Sequence, residues 1–343
     1  MMIDPKRYTS GRIALTNLSA SIESLGSVEG ATFESLVALS NLLFLRGDLL
    51  GRIADHDRAE EVALAAVAPS QDVGKVSYTR ARLAARFHRF EEARELLDRA
   101  LAAGDSRQEI DVEKAALLQA TGKYKEALAL REKLAKEDPG IHTLGALATL
   151  LAEMDEWAAA EGRYTAALDK DAGISPIPCA QLLFEWGVNA MRRGDLDRAE
   201  IIFAELEAIL PAHVPGRGHR AEVALACGEL DRALALITPL LAIADDPEYR
   251  ATYAEILAAR RDSEFLIEAE RAATEYERLL ARRPEAYADH AAAFFIGIGN
   301  RPRRAVELAR ANWEVRDTTR SRRLLQKALG KAQQAPVVHG GAP

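Results

Sequence analysis

Aromatic residues are scarce in this chain of 343 residues, at 6%. That is too few for the rows of stacking platforms that hold single-stranded nucleic acid. A basic excess is missing as well: the formal net charge is -7, whereas a general nucleic-acid binder needs a basic surface to neutralise phosphates. Cysteine occurs only twice, as Cys179 and Cys227. Both lie in helical-looking contexts and read as reduced, buried, small apolar side chains, with no sign of a secreted disulfide framework. No run of about 18 apolar residues occurs, so no transmembrane helix or membrane insertion is expected. The N-terminal "MMIDPKRYTSGRIALTNLSA" lacks the apolar core and cleavage pattern of a signal peptide. The cytoplasm is the expected compartment.

Catalytic motifs are absent too. The seven histidines (56, 88, 142, 213, 219, 290 and 339) show no metalloprotease spacing, and no cysteine pair has zinc-ligand spacing. His213 and His219 flank "VPGRG" and read as turn and helix-start residues. "GRG" (216–218) lacks a preceding strand and the Gly-Lys-Ser/Thr ending of a phosphate loop, and no G-x-S-x-G elbow exists. Carboxylates such as those of "FEEARELLDR" lie among Arg and Lys at helical i,i+4 spacing, as on a solvated face. The sequence therefore predicts no enzyme, no cofactor and no metal.

What is present is a repeat. Alanines recur at 59, 93, 127, 160, 199, 233, 272 and 305, a period of 34 with two insertions. The stretch "GDLDRAEIIFAELEAILP" (194–211) shows the pattern best. Five residues before the alanine stand Gly122, Gly194, Gly228 or Asn300, residues that tolerate a left-handed backbone and end a helix. Phe90, Tyr124, Trp157, Leu196 or Leu230 lies three before it, and Leu97, Tyr164, Phe203, Ile237 or Tyr276 four after it. These spacings fall on one helical face. Pro139, Pro211 and Pro284 stop the second helix twelve residues on. Twelve residues before the alanine, small residues (Gly47, Ala81, Ala115, Ala148, Gly187, Ala221, Ala293) allow close helix approach, with Ala254 taking that role in the seventh unit, whose turn "RRDSEFL" is lengthened.

This pattern resembles the tetratricopeptide repeat family, whose unit is a 34-residue helix–turn–helix. The resemblance implies an all-α fold, a right-handed superhelix of about eight helix pairs. The expected organisation is an N-terminal segment and capping helix over 1–39, the array over 40–317, a C-terminal capping helix over 318–333 and a disordered tail over 334–343. "ATFESLVALSNLLFLRGDLLGRI" should form an unusually long first helix, with "ADHD" (54–57) as its turn. "DAGISPIPC" (171–179) reads as a loop able to bend the array. Phe294 and Phe295 are expected in the core. The Ala/Arg/Leu/Glu-rich style is a bacterial one.

In such arrays the first helices line a concave groove, and a non-catalytic scaffold binding a partner peptide or helix there is the expected function. The exposed face of the first helices is expected to carry Asn41, Phe44, Asp48 and Arg52; Lys75, Tyr78, Arg82 and Arg86; Glu109, Val112, Ala116 and Gln119; and Gln181, Phe184, Val188 and Met191. Arg52, Lys75, Arg82 and Arg86 around Tyr78 form a candidate site for an acidic peptide or C-terminal carboxylate. Gln181, Phe184 and Met191 are further candidates. The sequence does not reproduce the Lys/Asn/Asn/Lys/Arg carboxylate clamp of the family's chaperone-tail-binding members: Arg82 stands at the clamp asparagine's position in unit two. A sensor for a peptide or small ligand is an alternative. So is a self-assembling scaffold, because ten Arg or Lys between 301 and 331 face only three acids in a chain of net -7.

Overall fold

Each ruler alanine sits where two helices touch. Ala59, Ala93, Ala127, Ala199, Ala233, Ala272 and Ala305 are fully buried and Ala160 is 2% exposed, so a larger side chain has no room at any of them. The computed structural model describes residues 3–334 and is all-helical across them. Helix α1 (Gly11–Gly26) precedes eight antiparallel pairs: α2 (Phe33–Leu50) with α3 (Ile53–Val67), α4 (Val73–Arg86) with α5 (Phe90–Ala102), α6 (Arg107–Ala120) with α7 (Tyr124–Glu137), and α8 (Ile141–Glu153) with α9 (Trp157–Asp169). There follow α10 (Pro176–Arg193) with α11 (Leu196–Ile209), α12 (Val214–Ala226) with α13 (Leu230–Ile237), α14 (Pro247–Ala259) with α15 (Phe265–Arg282), and α16 (Pro284–Ile296) with α17 (Pro302–Val315). Helix α18 (Thr319–Gln334) closes the series. Of the tail expected over 334–343, Gln334 ends α18, and residues 335–343, His339 among them, lie outside the described residues.

The turn register is conserved in backbone even where the side chain changes. The residue five before the ruler alanine has positive φ in six units: His88 (58°), Gly122 (79°), Asp155 (65°), Gly194 (85°), Gly228 (77°) and Asn300 (43°). Units one and seven use Gly51 (60°) and Arg261 (61°) instead. The first turn is therefore at 51–52 and not at "ADHD", which lies inside α3; Gly51 ends α2. "DAGISPIPC" is only half a loop, because Ser175 caps α10 through the Ile177 amide and Pro176 occupies the first helical position, which needs no N–H. The small position of unit eight also shifts. Its turn spans 297–301, so Ala291 and Ala292 are buried in place of Ala293, which is exposed. Phe294 and Phe295 are both buried. Cys179 is buried as expected, but Cys227 is exposed because it falls at the helix end of α12, next to the left-handed Gly228.

The array closes on itself. Asp245, after unit six, accepts from the Ile53 amide at 2.5 Å, and Arg52 Nε donates to the Ile243 carbonyl at 3.0 Å. Further along, Arg283 ion-pairs with Asp57 (2.6 Å) and Glu60 (2.5 Å) of α3 and lays its guanidinium 3.9 Å from the Phe87 ring centroid. His88 Nδ1 donates to the Glu285 carbonyl at 3.0 Å, and Arg316 Nε donates to the Ala120 carbonyl at 3.4 Å. At the N-terminus, Tyr8 donates to Asp171 at 2.6 Å and the Thr9 amide to the Ile174 carbonyl at 2.9 Å. Units one to three thus meet the segment from the end of unit six to unit eight, and the N-terminal segment meets the loop between units four and five.

A candidate binding cavity in the concave wall

Four of the first helices, α6, α8, α10 and α16, line a common cavity, and α4 is not among them. On α4, each expected groove cation already has a partner. Lys75 pairs with Glu34 at 2.8 Å, Arg82 pairs with Glu113 at 3.2 Å and donates to Asn41 at 3.0 Å, and Arg86 pairs with Asp48 and lies 2.8 Å from His56 Nε2. The partners Glu34, Asn41 and Asp48 recur every seventh residue along one face of α2, so the two helices form a ladder of complementary charge. Arg52 is not on a first helix; it occupies the turn and holds the seam. Tyr78 is half-buried, and burial pushes its hydroxyl up to about 12. The four cations therefore do not converge on open space.

Open space lies further along, where a cavity of about 920 Å³ is bounded by α6, α7, α8, the start of α9, α10, α16 and α18. Seven cationic side chains (131, 192, 193, 316, 320, 323 and 327) line it against four carboxylates (153, 155, 185 and 289). Among the described residues, Arg131, Arg192, Arg193, Arg320, Arg323 and Lys327 have no carboxylate partner, and Arg316 pairs with Asp289. Arg131 donates to Gln119 at 3.2 Å while its Nε, buried, meets no acceptor. Arg192 is reached by solvent yet ringed by protein, and this burial lowers its pKa; the same cause raises Glu153 and Glu185. Burial works to raise Asp289 too, but His290, Arg320 and Arg316 together hold it well below the usual carboxylate range. Amide and hydroxyl groups of Gln119, Thr149, Gln181 and Asn189 complete the wall. Asn189 is held by donating to Tyr164 at 2.8 Å, and the Tyr164 ring stacks on Trp186.

Half of the unpaired charge comes from the last helix. The Thr318 hydroxyl accepts the Ser321 amide at 3.1 Å and the Ser321 hydroxyl accepts the Thr318 amide at 3.0 Å, a reciprocal cap that starts α18. Ala328 is fully buried, and Leu324 and Leu325 pack on the core of unit eight. That attachment turns Arg320, Arg323 and Lys327 inward to the cavity. The basic C-terminal end is thus partly internal; Arg301, Arg304 and Arg322 are paired with Glu270, Glu277 and Asp317.

Of the named binding candidates (52, 75, 78, 82, 86, 181, 184 and 191), Gln181 alone lines the cavity. Phe184 packs against His213 and His219 with centroids at 5.2 and 5.6 Å, Val188 is buried and Met191 packs on the core. The inner face of α10 is Gln181, Glu185, Asn189 and Arg192, rotated by one residue from the expected face. Ala116 and Gln119 of α6 do line the cavity as expected of concave residues.

Residues 190–256 match the family model described as tetratricopeptide repeat. No curated protein matches the chain. The chain is similar in fold to yeast Tom70 (TM-score 0.53, 15% identity, covering 90% of this chain and 66% of that one). It is likewise similar to the APC/C hetero-tetramer Cut9–Hcn1 (TM-score 0.50, 16% identity, 90% and 58%). A tetratricopeptide repeat protein from Parabacteroides merdae also matches (TM-score 0.46, 18% identity, 88% and 100%). The chain spans less than two thirds of the Cut9–Hcn1 and Tom70 chains. No described helix is long and apolar enough to cross a membrane. Residues 190–256 thus carry the tetratricopeptide repeat match, and the chain shares the helix-pair fold of these solved structures along its eight pairs.

Proposed function

We propose that the protein is a non-catalytic binding module that takes a short, extended, acidic segment of another protein into the central cavity. The carrying observation is the set of six cations lining that cavity without carboxylate partners among the described residues, in a chain of net -7. The volume favours an extended segment over a helix. A helix about 10–12 Å across would fill 920 Å³ within roughly two turns, which is too short to be stable by itself. An extended strand, about 4.8 by 10 Å in section, fills it with about six residues, and the wall amides match the donors and acceptors of its backbone.

The test is fluorescence anisotropy with a labelled hexapeptide of alternating Glu and Ala, alongside its Gln counterpart. Ala116 of α6 and Ala293 of α16 are exposed and line the cavity, so Ala116→Trp and Ala293→Trp fill it without disturbing the core. Binding of the Glu peptide, at least tenfold weaker for the Gln peptide and for each Trp variant, supports the reading. Equal affinity for both peptides overturns the charge assignment, and unchanged affinity in the Trp variants overturns the location.

A further inference from the structure

The inner faces of α12, α14 and α16 carry a polar cluster that the cavity does not use. His219 and Glu222 stand one turn apart on α12, and Glu248 comes from the first turn of α14. One imidazole nitrogen and one oxygen from each carboxylate lie within 4.8 Å of one another. The closest pair is His219 Nδ1 with Glu222 Oε2, at 2.9 Å.

Each of these groups is oriented from behind. The His219 ring stacks on both Phe184 and Phe203, with centroids 5.6 and 5.9 Å away, which fixes its plane. Thr252 Oγ1 donates to the other oxygen of Glu222 at 3.3 Å. His290 Nδ1 donates to Glu248 at 2.9 Å. Metal ligands are characteristically held by such outer partners, which fix ring orientation and carboxylate direction. Around a tetrahedral ion with bonds of about 2.1 Å, neighbouring donors stand about 3.4 Å apart. Separations of up to 4.8 Å exceed that by at most about 1.4 Å, so a shift of under about 1 Å by each donor brings all three onto one ion.

The geometry points to a divalent metal site on the concave wall of units six and seven, held by His219, Glu222 and Glu248, with Zn²⁺ as the expected ion. An imidazole with two carboxylates suits a first-row divalent metal better than Mg²⁺ or Ca²⁺, which prefer all-oxygen sets. Three protein ligands leave one position for water. The site is separate from the proposed peptide cavity and does not depend on it.

The test is isothermal titration of ZnCl₂ into the tag-free, chelator-treated full chain, repeated with CoCl₂ while the visible ligand-field band is recorded. The expected result is one ion per chain at micromolar or tighter Kd. His219→Ala, Glu222→Gln and Glu248→Gln should each weaken binding at least tenfold and lose the cobalt band, with unchanged helicity, while the exposed Glu132→Gln stays as wild type. Thr252→Val keeps all three ligands and should weaken binding severalfold, which covers the case of a ligand variant that fails to fold. No stoichiometric uptake, or wild-type affinity in His219→Ala or Thr252→Val, overturns the site and leaves the cluster as mutual ion pairs.

Discussion

His213 must stay neutral for α12 to be capped, and this makes a pH-dependent term in stability. The ring is 2% exposed, and its Nδ1 accepts the Gly216 amide at 3.0 Å. A proton on that nitrogen removes the acceptor and buries a charge. Burial accordingly depresses the pKa from 6.5 to about 4. In the unfolded chain the imidazole titrates near 6.5. Between about pH 6.5 and pH 4 the unfolded state binds a proton that the folded state does not, so stability falls as pH falls through this window. Above it both states are neutral and the full stability is present. A difference of about 2.5 units corresponds to roughly 3 kcal/mol. The perturbation is His213→Asn, because asparagine caps a helix N-terminus without titrating. Urea unfolding of both proteins at pH 7.5, 6, 5 and 4, at constant ionic strength, gives a difference curve in which all other titrating groups cancel. Wild type should lose about 3 kcal/mol relative to the variant by pH 4, and amide exchange at Gly216 should accelerate in wild type alone. A flat difference curve would refute the reasoning.

Three further outcomes follow from the seam and the helix contacts. Arg283→Met should destabilise by about 3 kcal/mol, because Glu60 and Asp57 lose a buried cation (8% exposed) and Phe87 loses its guanidinium; urea titration measures it, and limited proteolysis should newly cut near 282–284. Gly122→Val should loosen α18, since a Cβ there collides with the Asp317 carbonyl and φ is +79°; faster amide exchange over 319–334 is the readout. Gly187→Leu should cost about 3 kcal/mol or more by overpacking, as its Cβ would stand 2.5 Å from the Phe203 ring, and thermal melting should show it.

The helix pairs were legible because the 34-residue register is a packing rule. A buried alanine, a left-handed turn residue and a stop signal each have one physical job; the alanine recurs in all eight units, the turn residue keeps its register in six and the proline stop in three. His88 and Asp155 occupy the left-handed turn without being glycine, so only their register, not their identity, reveals them. The site was less legible. On α10 an error of one residue, about 100° of helix rotation, exchanges Phe184, Val188 and Met191 for Glu185, Asn189 and Arg192. The ladder between α2 and α4 consumed the conspicuous cations, which takes pairing between helices 40 residues apart to see. The inward aim of Arg320, Arg323 and Lys327 depends on superhelical closure, a property of the summed small rotations between units and not of any one repeat. His219 and Glu222 stand at i,i+3, but Glu248 joins them only in three dimensions.

The most direct test of the account is photo-crosslinking in cells from two positions, a benzoylphenylalanine placed at Gln181 in the cavity and another at Ile201, 49% exposed on α11. The account predicts a discrete protein adduct from position 181 alone, abolished by Arg320→Ala with Arg323→Ala and mapping to an acidic segment of about six residues. Adducts from position 201 only, or an adduct at 181 that survives loss of both arginines, would contradict it.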